Sequence, residues 1–285
     1  MQKFSKEMQK LLESMAAISY SSKTNKKLTE YISKNYMKII FMTAGQLAAA
    51  VGISQGSVTR FCISLNFRGY NDFLRKFQEY VGKQITLPQR LEYTSNADAD
   101  LSNIFNAERK NIDSVEALLK EASYKRMKNK IAGAGEVVLL SARMSATLLP
   151  YTFYLLNNIR NGIHQVTPNM PAWDTLGFMD KKNTLIVAFV FPRYSNLLMT
   201  KLEELKTAGF EIEVITDVGF PYLESLEYNH ISIPTTVSSI FDIYSTPILF
   251  INLLIRDLAK EIKDLPQRME ALEELEQKNN IYYKL

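Results

Sequence analysis

Two sets of residues in this chain have the types and spacing to do chemistry. The first lies along Ser54–Ile63, SQGSVTRFCI. Gly56, Ser57, Thr59, Arg60 and Ile63 share one side of a helical projection. Val58, Phe61, Cys62 and Leu65 share the other, at the i, i+3, i+4, i+7 spacing of a buried stripe. A helix of this kind can bury its apolar side and lay the short, polar, basic side in a major groove. Its first turn then meets base edges, and its N-terminal amides meet phosphate. The second set is Ser141-Ala-Arg143-Met-Ser145 and Pro192-Arg193-Tyr194-Ser195. Each places an Arg and a Ser between an apolar run and a helical pattern. Guanidinium, hydroxyl and helix N-terminal amides together suit a carboxylate or a phosphate.

The elements that must position the first set can be read around it. Thr43 caps a short helix, Ala44–Ala50, with Leu47 and Ala48 inward. Gly52 makes the sharp turn, where a positive φ is cheap only for glycine. Ser54 caps a second helix that runs to about Leu65. This is a helix-turn-helix, a pattern that also occurs in all-α domains that touch no DNA. The candidate DNA contacts are Thr43, Ser54, Gln55, Gly56, Ser57, Thr59, Arg60, Arg68 and Tyr70. Lys38, Arg75 and Lys76 are further phosphate contacts. A helix over Met8–Ser19, one capped by Thr24 or Asn25 through Leu28 and Ile32, and one capped by Asn71 or Asp72 with Phe73, Leu74, Phe77 and Val81 inward complete a bundle of about five helices. It occupies residues 1–82, followed by a polar linker, 83–100.

From residue 101 the pattern alternates. An amphipathic helix, Leu101–Lys120, precedes short apolar runs at Val137–Leu140, His164–Val166, Thr184–Val190, Ile212–Ile215 and His230–Ile233. Helical patterns at Met144–Ile159, Asn196–Ala208 and Phe241–Lys260 stand among them. Strand and helix in turn make a doubly wound α/β parallel sheet of five strands over residues 101–263, with a charged tail at 264–285. Such sheets bind ligands beyond the carboxyl ends of their strands, at the switch in strand order. Both Arg-Ser loops fall at strand ends. Ser141, Arg143, Ser145, Arg193, Tyr194 and Ser195 are therefore the candidate effector site, with Trp173, Asp174 and Asp217 near its mouth, Trp173 reading as packing rather than as a ligand-stacking ring.

Charge and composition narrow the function. Residues 1–83 hold 13 Lys+Arg against 5 Asp+Glu, a balance of +8, which leaves 21 against 25, or −4, for the rest. A basic small domain on a mildly acidic larger one suits a polyanion partner for the first. At 285 residues with 46% hydrophobic content, the chain can build two cores. It has no apolar run of the ~18 residues that a membrane span needs, and its start does not read as a signal peptide. The lone Cys62 rules out an intramolecular disulfide framework and suits a cytoplasmic setting. No P-loop occurs, and no Cys/His spacing supports a metal. Gly133-Ala-Gly135-Glu136 reads as a turn. The only histidines, His164 and His230, sit on strands among apolar residues. No cofactor and no catalytic residue is expected.

The stretch LAAAVGISQGSVTRFCISLNFRGYNDF resembles the N-terminal domain of RpiR-type transcriptional regulators. Leu47, Ala48, Ser54, Val58, Arg60, Phe61, Leu65, Phe67, Gly69 and Tyr70 fill that pattern. Asn66 stands where the family usually has Gly, and Asn also tolerates the left-handed region. Residues from about Leu101 to Lys260 resemble, more loosely, the SIS (sugar isomerase) domain that completes the architecture. Sugar-binding members carry GxGxS after the first strand and SxSGxT after a later one. Here Ser145 alone survives of the first, and Phe189 to Tyr194 replace the second with aromatics and Pro192. The resemblance implies a regulator that binds a double-stranded DNA operator as a homodimer or homotetramer. It also implies a small anionic effector: a sugar phosphate, a sugar acid or an organic acid. The alternative is a sugar-phosphate isomerase with an accessory helical domain.

Overall fold

The computed structural model describes residues 6–40, 42–82, 88, 90–91, 101–217, 227–236 and 240–283. Most of the 83–100 linker, and the side chains of Arg75 and Val81, lie outside the described residues. The chain divides into two compact units. One is Met1–Asp100 with Val237–Asp242, and the other is Leu101–Thr236 with Ile243–Leu285.

The described elements of the first unit are helices, among them α1 (Lys6–Ser19), α2 (Lys23–Ile39), α3 (Ala44–Val51), α4 (Gln55–Ser64) and α5 (Tyr70–Gly82). Its core follows the apolar periodicity, with Met8, Leu11, Met15, Leu28, Ile32, Leu47, Val58, Phe61, Phe73 and Phe77 all buried. Phe73 stacks on Phe77 at 5.2 Å and meets Phe67 edge-on at 5.4 Å. Two caps differ from the sequence reading. Ser22, not Thr24 or Asn25, caps α2, accepting from the Asn25 amide at 3.0 Å. Helix α5 begins at Tyr70, ahead of Asn71 and Asp72, and the Asp72 carboxylate instead accepts from the Arg68 amide at 3.1 Å.

The second unit is a parallel sheet of β1 (Glu136–Ser141), β2 (Ile163–Val166), β3 (Thr184–Val190), β4 (Glu211–Thr216) and β5 (Asn229–Ser232), in the order β2-β1-β3-β4-β5. The helices are α6 (Leu101–Leu118), α7 (Ala122–Gly133), α8 (Leu148–Ile159), the short α9 (Ala172–Thr175), α10 (Asn196–Ala208), α11 (Ser245–Ala259) and α12 (Leu265–Lys278). Alternate residues of each strand serve opposite faces, so a sheet covered on both sides reads as a continuous apolar run. Val137, Leu139, Leu185, Val187 and Phe189 pack with residues of α6, α7, α8 and α11. Val138, Leu140, Ile186, Ala188 and Val190 pack with Trp173, Leu176 and the buried side of α10. Trp173 is thus a core residue, in line with its reading as packing.

Helix α7 was not anticipated. Its sequence, ASYKRMKNKIAG, is mostly polar, yet Tyr124, Met127 and Ile131 form a thin buried stripe. An ion pair secures it: Arg126 donates to both oxygens of Glu213 at 3.0 and 3.2 Å, and Glu213 is fully buried on β4. The stretch before the first α/β helix also differs. Arg143–Thr147 is a 3₁₀ turn, and only from Leu148 does α8 begin. Gly135 lies so close to Asn183 that an added Cβ would meet its side chain at 2.1 Å, so the glycine serves packing.

Candidate DNA-reading helix and effector crevice

In the first unit the turn between α3 and α4 is held entirely by local bonds. Thr43 and Gln46 form a capping box: the Thr43 hydroxyl accepts from the Gln46 amide at 3.1 Å, and the Thr43 amide donates to the Gln46 side chain at 2.8 Å. Gly52 ends α3 at φ 69°, where a side chain would be strained. Ser54 then caps α4, accepting from the Ser57 amide at 3.2 Å. The same hydroxyl lies 2.9 Å from the Ser57 hydroxyl, which accepts from Arg60 Nη2 at 3.2 Å.

These contacts fold the Arg60 guanidinium back toward the start of α4, beside Gly56, whose Cβ position is 3.6 Å from Arg60 Nη1. A positive charge is therefore held near the end of the helix where free amides already favour an anion. Thr43, Ser54, Gln55, Gly56, Arg60 and Arg68 are exposed, Ser57 and Thr59 half-buried, and Ile63 is 54% exposed. Lys38 is exposed and Lys76 half-buried. Val58, Phe61 and Cys62 are buried, and burial pushes the Cys62 thiol up to about 12, leaving it inert. Asn66 takes the left-handed region at φ 66°, as its place in the resemblance implies.

Tyr70 departs from the expected set. It is buried, and its hydroxyl donates to the Met42 carbonyl at 2.8 Å. Its ring plugs the bundle and fixes the chain entering α3. Burial raises its phenol further above the usual range. Tyr70 therefore leaves the candidate contacts.

In the second unit β1 lies between β2 and β3, so the chain runs outward in opposite directions from the β1/β3 pair. The loops after these two strands flank the switch point. Ser141 pairs with Phe189 in register, and the two loops are tied twice. Ser141 donates its hydroxyl to the Phe189 carbonyl at 2.7 Å, and the Ser145 hydroxyl accepts from the Phe191 amide at 3.2 Å. Ser141 is fully buried, so it is a structural bond and not an effector contact. Ser145 is buried as well, but its proton remains available as a donor. Tyr194, half-buried, pairs through its hydroxyl with Asp217. Ser195 caps α10, accepting from the Leu198 amide at 3.4 Å.

That leaves the two arginines, and they are alike. Arg143 and Arg193 are both exposed, and both hold positive φ, 59° and 63°. An L-residue there costs about 1–2 kcal/mol. Neither guanidinium has a hydrogen-bond or ion-pair partner among the described residues, so pairing with acidic side chains does not account for them. The sequence showed where the arginines stand but not their backbone conformation.

His164, on the outer strand β2, pairs with Glu136 at 2.6 Å, and the His230 ring lies 3.1 Å from the Tyr228 carbonyl. Among the described residues no group of three His, Cys, Asp or Glu could hold a metal ion. No helix there is long and apolar enough to cross a membrane. One acid went unmarked in the sequence: Glu108 on α6 accepts from the hydroxyls of Thr236 and Ser245, closing the junction of α6 with the start of α11.

The chain thus joins a capped helix-turn-helix with an open polar face to a doubly wound domain with two loops at its switch point. Residues 7–84 match the helix-turn-helix domain of the rpiR family. The whole chain is similar in fold to the NanR protein of Vibrio vulnificus, solved in complex with ManNAc-6P. The TM-score is 0.54 at 14% identity, covering 93% of this chain and 98% of that one. The second unit has the fold of the sugar isomerase domain of an RpiR transcription factor from Sphaerobacter thermophilus. That match has a TM-score of 0.55 at 15% identity, covering 62% of this chain and 98% of the other. No curated protein sequence matches the chain.

Proposed function

We propose that this protein is a DNA-binding transcriptional regulator whose second unit senses a small anionic metabolite in the cytoplasm. The observation that carries the reading is the α4 face. An rpiR-type helix-turn-helix leaves Gly56, Arg60 and Ile63 open, and aims a preorganised arginine at the helix N-terminus. The first helix turn reads base edges, and Arg68 and Lys38 contact phosphate. One short helix touches few bases, so the protein acts as a homo-oligomer on two half-sites.

Arg143 and Arg193 bind the effector, with Ser145, Tyr194 and Ser195 around them. A planar guanidinium pairs two-pronged with carboxylate or phosphate, and two of them at one switch point suit an anion. A sugar phosphate is supported by the fold relative solved with ManNAc-6P. A sugar acid or organic acid is supported by the loss of the hydroxyls that usually cradle a sugar phosphate. Effector binding shifts the balance between DNA-competent and incompetent states by its difference in affinity for the two. The reading is non-enzymatic, since neither histidine stands at the strand ends that flank the crevice.

Selection of bound duplexes from a random DNA pool tests the first part. Enrichment of a two-fold motif is expected, and no enrichment refutes it. A thermal-shift panel of sugar phosphates, sugar acids and organic acids tests the second. Arg143→Ala with Arg193→Ala should abolish the response and leave DNA affinity intact. An unchanged response removes the site, and turnover of an aldose phosphate by pure protein supports the isomerase alternative.

A further inference from the structure

The connection between β5 and α11 leaves the second unit and comes back. Residues 237–242 group with the first unit, although Thr236 before them and Ile243 after them belong to the second. The chain therefore passes between the units three times, after Asp100, after Thr236 and after Asp242. Domains joined by one linker move independently by default. A doubled-back second connection limits that freedom.

The base of this excursion is closed. Thr236 and Ile243 form an antiparallel bridge, and the Ile243 amide donates to the Thr236 carbonyl at 3.1 Å. Glu108 of α6 clamps both sides of the base. One of its carboxylate oxygens accepts from the Thr236 hydroxyl and the other from the Ser245 hydroxyl. Asn111, about one turn further along α6, donates to the Thr236 hydroxyl at 2.9 Å.

Within the second unit the base touches the crevice. Tyr244 packs its ring against Phe191, with centroids 5.2 Å apart, and both residues are buried. Phe191 is the first residue after β3, two before Arg193, and its amide donates to the Ser145 hydroxyl in the other crevice loop. Within the first unit the far end is fastened. Arg90, in the 83–100 stretch that follows α5, donates to the Asp242 carboxylate at 2.9 Å and to the Ile240 carbonyl at 3.4 Å. The Arg90 and Asp242 side chains are each 2% exposed. An ion pair taken wholly out of water adds little net stability over apolar residues, and its best-attested use is to fix one arrangement.

We infer that the 237–242 excursion is the strap through which the crevice and the DNA-reading unit act on each other, with the Arg90–Asp242 pair as its fastening. This rests on the proposed function and names the route of its regulation. An anion held by Arg143 and Arg193 sets the position of the loop after β3. Phe191 passes a shift of that loop to Tyr244, because close-packed rings cannot move separately. Tyr244 stands two residues from Asp242. Glu108 keeps the base from opening, so the shift is not absorbed there and reaches Asp242 and Arg90. From one unit to the other the route is the covalent chain itself. Packed side chains and ion pairs of this kind carry coupling between distant sites.

Coupling is reciprocal, so DNA bound at one end must be felt at the other. The test is hydrogen exchange on the full chain, free and saturated with the duplex selected from the random pool, read at residues 141–147 and 189–195. In wild type the duplex should change exchange there by at least about fivefold, the low end of coupling between linked sites. Asp242→Asn keeps the shape and removes one charge. Arg90→Met with Asp242→Leu replaces both charges by apolar groups, a swap that buried pairs commonly tolerate. Each should hold the change below about twofold, under the range typical of linked sites. Arg126→Ala, which removes a different ion pair inside the second unit, should keep the full change. Thermal melts by circular dichroism establish that each variant is folded. A wild type that binds the duplex with no change at the crevice loops overturns the strap and leaves the DNA reading standing. Strap variants that keep the full change overturn it too, as does an Arg126→Ala variant that loses it. A protein that binds no duplex fails the proposed function first, and the strap with it.

Discussion

Replacing Arg60 by alanine separates folding from DNA reading. In the free protein Arg60 makes one side-chain hydrogen bond, 3.2 Å to the half-exposed Ser57 hydroxyl, and its guanidinium is open to solvent. Losing a bond of that kind at the surface costs the fold at most about 0.5 kcal/mol. On the proposed reading the same group meets a base edge when DNA is bound, and a good bidentate contact is worth about 1–3 kcal/mol. With two half-sites engaged, the loss doubles to about 2–6 kcal/mol, or roughly 30-fold to more than 10,000-fold in affinity. The assay is fluorescence anisotropy on the selected duplex and on its single-base variants, at several salt concentrations. Arg60→Ala should weaken binding and flatten the preference at one base of each half-site. Arg68→Ala should weaken all sequences alike and reduce the salt slope by about 1 per half-site. An Arg60→Ala variant that keeps both affinity and base preference refutes the assignment of the α4 face.

Three further outcomes follow from single contacts. Tyr70→Phe leaves the Met42 carbonyl without its 2.8 Å donor and should cost about 1–2 kcal/mol in a denaturant melt, while folded protein binds DNA with unchanged affinity. Arg126→Ala strands the fully buried Glu213 carboxylate and should destabilise by about 3 kcal/mol, most of it regained when Glu213→Gln is added. Hydrogen bonds led by Lys260 hold the Asp257 carboxyl down to about 2, below its unfolded value. Its stabilisation is therefore complete above about pH 4 and is lost as pH falls toward 2. The stability gap between wild type and Asp257→Asn should narrow over that window in melts taken at stepped pH.

The helix-turn-helix was legible because each of its parts leaves a local mark. A capping threonine, a turn glycine, a capping serine and a strict apolar stripe all agree, and only Tyr70 misled. A tyrosine looks the same in sequence whether its hydroxyl meets a phosphate or a carbonyl 28 residues back. The sheet was legible from buried strands such as TLIVAFV, which a parallel sheet covered on both sides demands. Helix α7 was missed because its buried stripe is three residues wide in a run of lysines. Its chief anchor is an ion pair to a strand 87 residues away. At the crevice the arginines were visible but the ties were not. That Ser141 is spent on Phe189 and Ser145 on Phe191 depends on which strands are neighbours, and chain order alone does not state it.

The left-handed backbone at Arg143 and Arg193 bears on how this protein tolerates change. Glycine at either place would relax the loop and make the molecule sturdier. A screen for heat resistance would therefore be drawn to the two substitutions that, on the proposed reading, erase its chemical sense. If the two arginines bind the effector as proposed, robustness and responsiveness pull against each other there, and a hardened variant would still occupy its operator while deaf to the metabolite.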